Sequence, residues 1–479
     1  MVLGPDAPGS RRQILARVLA GTAAVAWSEV APAQDSHNTF AVGNLSFPNI
    51  AALQAQPAIP GTVAQVLGFY KPGDGGGGLW RAVGSSSGRR YPWQLPSSND
   101  AFWEPTRENI DPRLLGAVGD GVTDDTAALQ AAIDYVAERY PGGCICLPPL
   151  EFRTGSLLLR ARVGIAGSPG IYSTHFPENL NRGGHALLLQ PGATIHLEEA
   201  TFLRGLVIRP ADMRFPQNAA QVATWQGTAI TVKGQANGAY VGYCLIVGFE
   251  RAIRTSGEAP VEHLRLERLG IDCLNGIMLS NLPDIPYLDE IHCWGFATTG
   301  RGALNWVSRP GIAFQFADRA DWGKITNCFC FGYEVGFDLV NVSDCTLIGC
   351  GADHLDTRHN ITSVGFRLRG RTRNTRLIGC QAASHLIGIQ IAPSADVPLA
   401  SNYVDGARVW SCETGIEAKS GWTIVRDTAF RNGGGLTFGA ELRGGRFTGC
   451  SFEKIKEPVM RGPASVFSRV QHDQPLIID

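Results

Sequence analysis

A short strand that opens on a small residue recurs through the second half of the chain, and this repeat limits the fold more than any other feature. It reads Ala229-Ile230-Thr231-Val232, Ala252-Ile253-Arg254-Thr255, Gly276-Ile277-Met278-Leu279 and Gly311-Ile312-Ala313-Phe314. It continues as Gly336-Phe337-Asp338-Leu339, Gly365-Phe366-Arg367-Leu368, Gly388-Ile389-Gln390-Ile391 and Gly415-Ile416-Glu417-Ala418. Successive copies lie mostly 23 to 29 residues apart, with one gap of 35. A period of that size, made only of strands and turns, predicts a β-solenoid in which each coil is buried by its neighbours. Leucine-rich and helical repeats fit poorly, because neither their consensus nor a 3.6-residue period is present.

Cysteines mark a second column. Cys293, Cys328, Cys350, Cys380, Cys412 and Cys450 end comparable strands, as in Leu347-Ile348-Gly349-Cys350 and Leu377-Ile378-Gly379-Cys380. At one position per coil they are expected to stack inward as small buried groups. The 12 cysteines form no CxxC pair and no metal-ligand spacing, so no metal or other cofactor is expected. Fifty-eight glycines without a collagen period indicate many turns. The formal net charge of -1 gives no electrostatic reason to expect nucleic acid as a partner.

The ends of the repeat divide the chain. Ser10-Arg11-Arg12-Gln13-Ile14-Leu15 precedes an apolar run, Val18 to Trp27, and the small-residue site Ala31-Pro32-Ala33. Residues 1–33 therefore read as a secretory signal of the twin-arginine type, which places the mature chain in the periplasm or outside the cell. The run is too short and too rich in alanine for a spanning helix. Residues 35–110 form a small module, in which 63–70 and 79–83 are expected to pair as a hairpin around Pro72-Gly73-Asp74-Gly75-Gly76-Gly77-Gly78. Residues 111–479 form the solenoid. It opens on a helix with Leu129, Ile133 and Val136 on one face, capped by Thr123 or Asp124. Asp120, Asp124 and Asp125 lack calcium-loop spacing and read as a turn and a cap.

At Gly119-Asp120-Gly121-Val122-Thr123-Asp124-Asp125-Thr126 and the alanine-rich helix after it, the chain resembles the pectate-lyase-like right-handed parallel β-helix superfamily. The likeness is to the branch shared by phage tailspike depolymerases and secreted bacterial polysaccharide enzymes. Gly68-Phe69-Tyr70 and the glycine-rich turn after it fit the same pattern, and the resemblance extends over residues 45 to 460. It implies an all-β, single-stranded right-handed parallel β-helix acting on an extended poly- or oligosaccharide, and a homotrimer. Relatives of this kind include hydrolases, lyases, epimerases, transferases and non-catalytic binders.

Interruptions of the period locate a working surface. Cys328 and Cys380 are each followed eight residues later by the next glycine-led strand, whereas the gap is 18 after Cys293 and 15 after Cys350. Two insertions thus leave the same corner two coils apart, and they bracket the coil carrying Glu334 and Asp338. The first holds Arg301, Asn305, Trp306 and Arg309; the second holds Asp353, His354, Asp356, Arg358 and His359. Asp338 is expected to point outward between inward Phe337 and Leu339. Glycoside hydrolysis needs two carboxyls, one protonated and one ionised. Asp338 with Asp353 is the first expectation, Asp318 with Asp321 beside Trp322 the second, and Glu334 close behind. Asp284, Asp289, Glu290 and His292 form a further candidate cluster. Trp294 and Trp306 can stack on sugar rings. The alternative chemistry is β-elimination on a uronic-acid polymer, with Arg301, Arg309, Arg358, Arg367 and Arg369 available to clamp the carboxylate and His354 or His359 as base. A non-catalytic carbohydrate-binding solenoid is the third reading.

Overall fold

A computed structural model describes residues 45–84, 90–168, 184–214, 216, 219–297, 308–354, 362–394, 396–397, 401–455, 460–473 and 477–478. The leader expected over residues 1–33 lies outside them.

The first described segment is a five-stranded sheet. Leu45–Phe47 runs parallel to Val63–Val66, which pairs antiparallel with Gly78–Val83; Phe102–Pro105 and Leu95–Pro96 complete the order. The expected hairpin is present, but its first strand stops at Val66. The Asp74 carboxylate accepts the N–H groups of Phe69, Tyr70, Lys71 and Gly76, so Gly68-Phe69-Tyr70 turns instead of extending the ladder. Trp80, Trp93 and Trp103 are buried beneath this sheet, and their cluster is continuous with the core of the solenoid.

The helix Thr126–Arg139 buries Leu129, Ile133 and Val136 as its periodicity predicts. Its cap differs from expectation. Asp125 takes the N-cap position but directs its carboxylate to the N–H groups of Val118 and Gly119, while Asp124 accepts the Thr126 N–H. Asp120 accepts Val122 and Thr123 N–H groups, which closes the preceding turn. The helix packs on the strands Gly143–Cys146 and Leu157–Leu159, covering a solenoid end whose apolar interior would otherwise meet water.

From there the chain winds as a right-handed parallel β-helix with three faces. A representative coil runs through Tyr333–Val340 on face 1, Thr346–Ile348 on face 2 and Gly351–Asp353 on face 3, then returns to face 1 at Val364–Gly370. Every strand on a face pairs in parallel with its counterpart one coil away. Inward columns supply the core: Ile253, Ile277, Phe314, Phe337, Phe366, Ile389 and Ile416 align on face 1. Phe314, Phe337 and Phe366 stack with ring centroids 4.6 and 4.8 Å apart, close to the strand spacing.

Two details of the repeat differ from the sequence pattern. Gly311 is not the counterpart of Gly336: Phe314 pairs with Phe337, so Ala313 takes that place, and an irregularity between Arg309 and Ile312 absorbs the shift. The cysteines also divide. Cys328, Cys350, Cys380 and Cys450 share the position just before face 3 with Cys244, whereas Cys293 pairs with Cys330 two residues further along. Cys412 follows its face 3 strand, Arg408–Trp410. Both shared positions point inward, because side chains two apart on a strand lie on one side, and all of these thiols are buried and unbridged.

The corner between faces 2 and 3 is a single residue in the left-handed region. Asn327, Gly349, Gly379 and Gly406 hold it in successive coils, at φ between 53° and 62°. This explains the Gly-Cys signature: the glycine makes the corner and the cysteine turns inward after it. Gly379→Val is expected to destabilise the protein by about 1–2 kcal/mol, because a β-branched side chain is strained there. Urea unfolding checks this; an unchanged midpoint contradicts it.

The corner between faces 3 and 1 is the variable one. Gly332 alone joins Phe329–Phe331 to Tyr333–Val340, whereas the coils on either side insert residues 294–308 and 354–363 at the same place. The two insertions therefore flank one face 1 strand, as the interrupted period predicts.

Candidate functional site

Outward side chains of face 1 form a polar row across the bracketed coil. Met278, Gln315, Asp338, Arg367, Gln390 and Glu417 align on successive strands. Asp338 points outward as alternation requires, yet it is fully covered, which corrects its expected exposure. Arg367 Nε donates to its Oδ1 at 2.8 Å, and Arg369 donates through Nε at 2.9 Å and through Nη2, to Oδ2, at 2.9 Å. Gln315 Nε2 adds a fourth bond at 3.0 Å. Burial alone would raise the Asp338 pKa, but the bonds from Arg369, Arg367 and Gln315 outweigh it and hold the group at about 2. The carboxylate is ionised at neutral pH and takes four N–H bonds, so it is a poor proton donor and a poor nucleophile.

What Asp338 does instead is fix two arginines. Arg367 and Arg369 keep 24% and 42% of their side-chain surface. Both Nη groups of Arg367 and Nη1 of Arg369 have no hydrogen-bond partner among the described residues. The row thus presents oriented, unspent guanidinium edges to solvent, the geometry that recognises a carboxylate by paired N–H bonds. Because the folded Asp338 pKa lies below its unfolded value, its contribution of about 2 kcal/mol is full above pH ~4 and lost as the pH falls to ~2. Asp338→Asn is expected to flatten the stability profile in that window; an unchanged acid limb of the urea midpoint against pH contradicts this.

Asp353 does not join Asp338. It lies on the outer side of face 3, in a column with Phe331, Ala383 and Trp410, beyond the corner from the face 1 row. Desolvation raises its pKa, against a lowering bond from the His354 N–H at 2.8 Å. His354 is buried, with Nε2 3.4 Å from the Ser308 hydroxyl and its ring 5.5 Å from that of His385. Burial, with His354 beside it, pushes the His385 pKa down to about 3. Glu334 is the second residue of the bracketed strand and accepts the Thr362 hydroxyl at 2.8 Å. Ser308, Glu334, Asp353, His354 and Thr362 thus gather where the insertions leave the helix.

The remaining candidates separate. Asp318 and Asp321 lie at the corner between faces 1 and 2, where they brace the next coil through Asn341 Nδ2 at 2.8 Å and the Ser343 N–H at 2.7 Å. Trp322 is exposed at that same corner. Asp284 reaches His263 at 3.4 Å, Asp289 accepts from Thr326 and Asn327, and Glu290 pairs with Arg268 at 2.6 Å, so this cluster ties neighbouring coils together. Trp294 leans on Phe331 with centroids 4.9 Å apart and helps cover an apolar cluster of Leu188, Val247 and Phe296. That packing, with His292 between Trp294 and Phe329, argues against a free sugar platform. Arg309 is buried in an ion pair with Asp272 and is not open to substrate. Arg301, Asn305, Trp306, Asp356, Arg358 and His359 lie outside the described residues.

Sequence reasoning missed Asp272, a carboxylate at zero exposure. Its signal was an aspartate set in the apolar run Ile271 to Leu274; its partner, 37 residues away, was not readable. It also missed the outer surface of face 3 around Trp410.

No family model matches the chain. Over 62 residues it is 48% identical to a mannuronan C5-epimerase of Azotobacter vinelandii, a stretch that is 11% of this chain and 7% of that protein. Over the same length it is 44% identical to alginate lyase 7 of the same organism, again 11% of this chain and 7% of that one. The chain therefore matches only a small part of these curated relatives. Among solved structures, the tailspike of Acinetobacter phage vB_ApiP_P1 aligns over 88% of this chain and 67% of its own, at 11% identity and a TM-score of 0.48. The catalytic unit of an α-1,3-glucanase from Streptomyces thermodiastaticus aligns over 79% and 76%, at 13% identity and a TM-score of 0.42.

Proposed function

We propose that this chain is an exported enzyme that lays an extended, carboxylate-bearing polysaccharide across face 1 and removes the proton beside a carboxylate, giving β-elimination or epimerisation. The observation that carries the reading is the arginine pair held by Asp338. A proton on the carbon next to a carboxylate is removed only if the charge that develops on that carboxylate is stabilised. Arg367 and Arg369 offer that stabilisation in fixed positions, without reorganising when the charge forms. Glu334, on the same face 1 strand as Asp338, is the proposed base. Water then protonates the leaving oxygen in elimination, or returns a proton to the opposite face of the carbon in epimerisation. The named activities of the curated relatives, an epimerase and a lyase, support this class. The pattern Ser10-Arg11-Arg12 with the apolar run after it, read as a twin-arginine leader, supports export.

Hydrolysis is the second reading, favoured by one feature: Glu334 and Asp353 are two carboxyls at one corner. The test is incubation of the mature protein with polymannuronate, polygalacturonate and polyglucuronate, following ultraviolet absorbance of an unsaturated product, C5 inversion and new reducing ends. Arg367→Ala is expected to lower turnover about a hundredfold or more, while Asp321→Asn leaves it unchanged. Reducing ends without unsaturation or inversion would move the assignment to hydrolysis.

A further inference from the structure

The outer side of face 3 carries a cleft of about 800 Å³ over the last coils, lined by Gln381, Arg408, Trp410, Arg431, Asn432 and Glu453 among others. Its floor is two neighbouring outward columns. One runs Gln381, Arg408, Ala429, Ser451; the other runs Ala383, Trp410, Arg431, Glu453. Large and small side chains alternate across them, so that alanines and a serine lie beside an indole and two guanidiniums. This is what hollows the surface.

The chemistry of the lining is specific. Trp410 is half-buried, offering an apolar ring face with an indole N–H. Arg431 is paired with Glu453 at 2.8 Å, which holds it in place. Arg408 is exposed, and its guanidinium has no carboxylate or hydrogen-bond partner among the described residues. Against Glu453, the two arginines leave the cleft with one uncompensated positive charge. An aromatic ring beside an unpaired guanidinium and side-chain amides fits an acidic sugar: the ring for the pyranose face, Arg408 for the carboxylate, Gln381 and Asn432 for hydroxyls. The volume is that of a site for a small number of sugar units.

We infer that this cleft is a second, non-catalytic binding site for a carboxylate-bearing saccharide, around the helix from the face 1 row. The inference rests on the proposal that the chain acts on an anionic polysaccharide, and it gives that polymer a second anchor. Two anchors on one rigid solenoid raise the effective concentration of the polymer at the first. Short oligosaccharides, unable to reach both, gain nothing from the second.

Affinity electrophoresis in gels containing polymannuronate, polygalacturonate or polyglucuronate, with dextran as the neutral control, tests this without any turnover. The full-length mature protein is expected to be retarded by at least one acidic polymer and not by dextran. Trp410→Ala and Arg408→Ala are each expected to weaken that retardation about tenfold, while Asp321→Asn, at the corner between faces 1 and 2, leaves it unchanged. In turnover assays both cleft variants are expected to raise KM on polymer and to leave short oligosaccharides unaffected. No retardation by any of the three acidic polymers, or retardation untouched in Trp410→Ala and Arg408→Ala, overturns the inference. So does a change of oligomeric state of either variant in sedimentation, which would make this surface a subunit contact. Circular dichroism of both surface variants confirms that the fold is kept. Failure of the face 1 proposal is seen separately, as absent unsaturation and inversion with intact retardation.

Discussion

Asp338→Ala is expected to lower turnover a hundredfold or more and to cost about 3 kcal/mol of stability, although the residue touches no substrate. The carboxylate takes four N–H bonds from Arg367, Arg369 and Gln315 at 2.8 to 3.0 Å. Removing it leaves two guanidiniums without their anchor, and losing one partner of a buried pair costs about 3–5 kcal/mol. The lower end applies because both arginines reach water. Asp338→Asn separates the two effects. The amide keeps the volume and can hold one arginine through its oxygen, so stability is expected to recover in part while turnover stays low. Urea unfolding beside initial rates on polymer reads both. Full activity in Asp338→Ala would show that the arginines act without a fixed geometry, and the positioning role would fall.

The second large effect is at Asp272. Its carboxylate is ion-paired with buried Arg309, and Oδ2 also accepts the Ala297 N–H at 2.7 Å. Ala297 and Arg309 stand at the two ends of the first insertion, so one side chain ties both ends to the strand Gly270–Asp272. Beneath them, Tyr333 donates to the Cys273 carbonyl at 2.9 Å. Asp272→Ala strands a guanidinium in the core and is expected to cost about 3–5 kcal/mol. Asp272→Leu with Arg309→Met removes both charges and is expected to recover most of that loss, since the pair is expensive to desolvate. Activity is expected to stay low in the double variant, because Ala297 and Arg309 have lost their common tie to Asp272. Recovery of activity along with stability would contradict that part.

Much of this architecture is legible in the sequence. The glycine-led strands and the corner signature Ile348-Gly349-Cys350 are local, and each coil repeats the same constraint. The unequal gaps after Cys293 and Cys350 placed the insertions correctly, because strand count per coil is fixed and only the corner can absorb extra residues. Register was harder. Gly311 looked like the counterpart of Gly336, and only the pairing of Phe314 with Phe337 shows the two-residue shift. The site was least legible. Alternation put Asp338 outward, but it cannot show that Arg367 and Arg369, one coil on, close over it. Asp353 seemed its natural partner from loop position, but it lies on face 3, across a corner from the face 1 row. Trp294 looked like a sugar platform until the apolar cluster beneath it was seen.

Solvent exchange at the reacting carbon tests the central claim most directly. The mature protein is incubated in deuterium oxide with the acidic polymer that retards it, and the sugar C5 position is read by proton magnetic resonance. The expected result is either deuterium at C5 with inversion or an unsaturated chain end, both abolished in Arg367→Ala. New reducing ends with C5 protons fully retained would contradict proton abstraction and leave the arginine row as a binding surface beside a hydrolase.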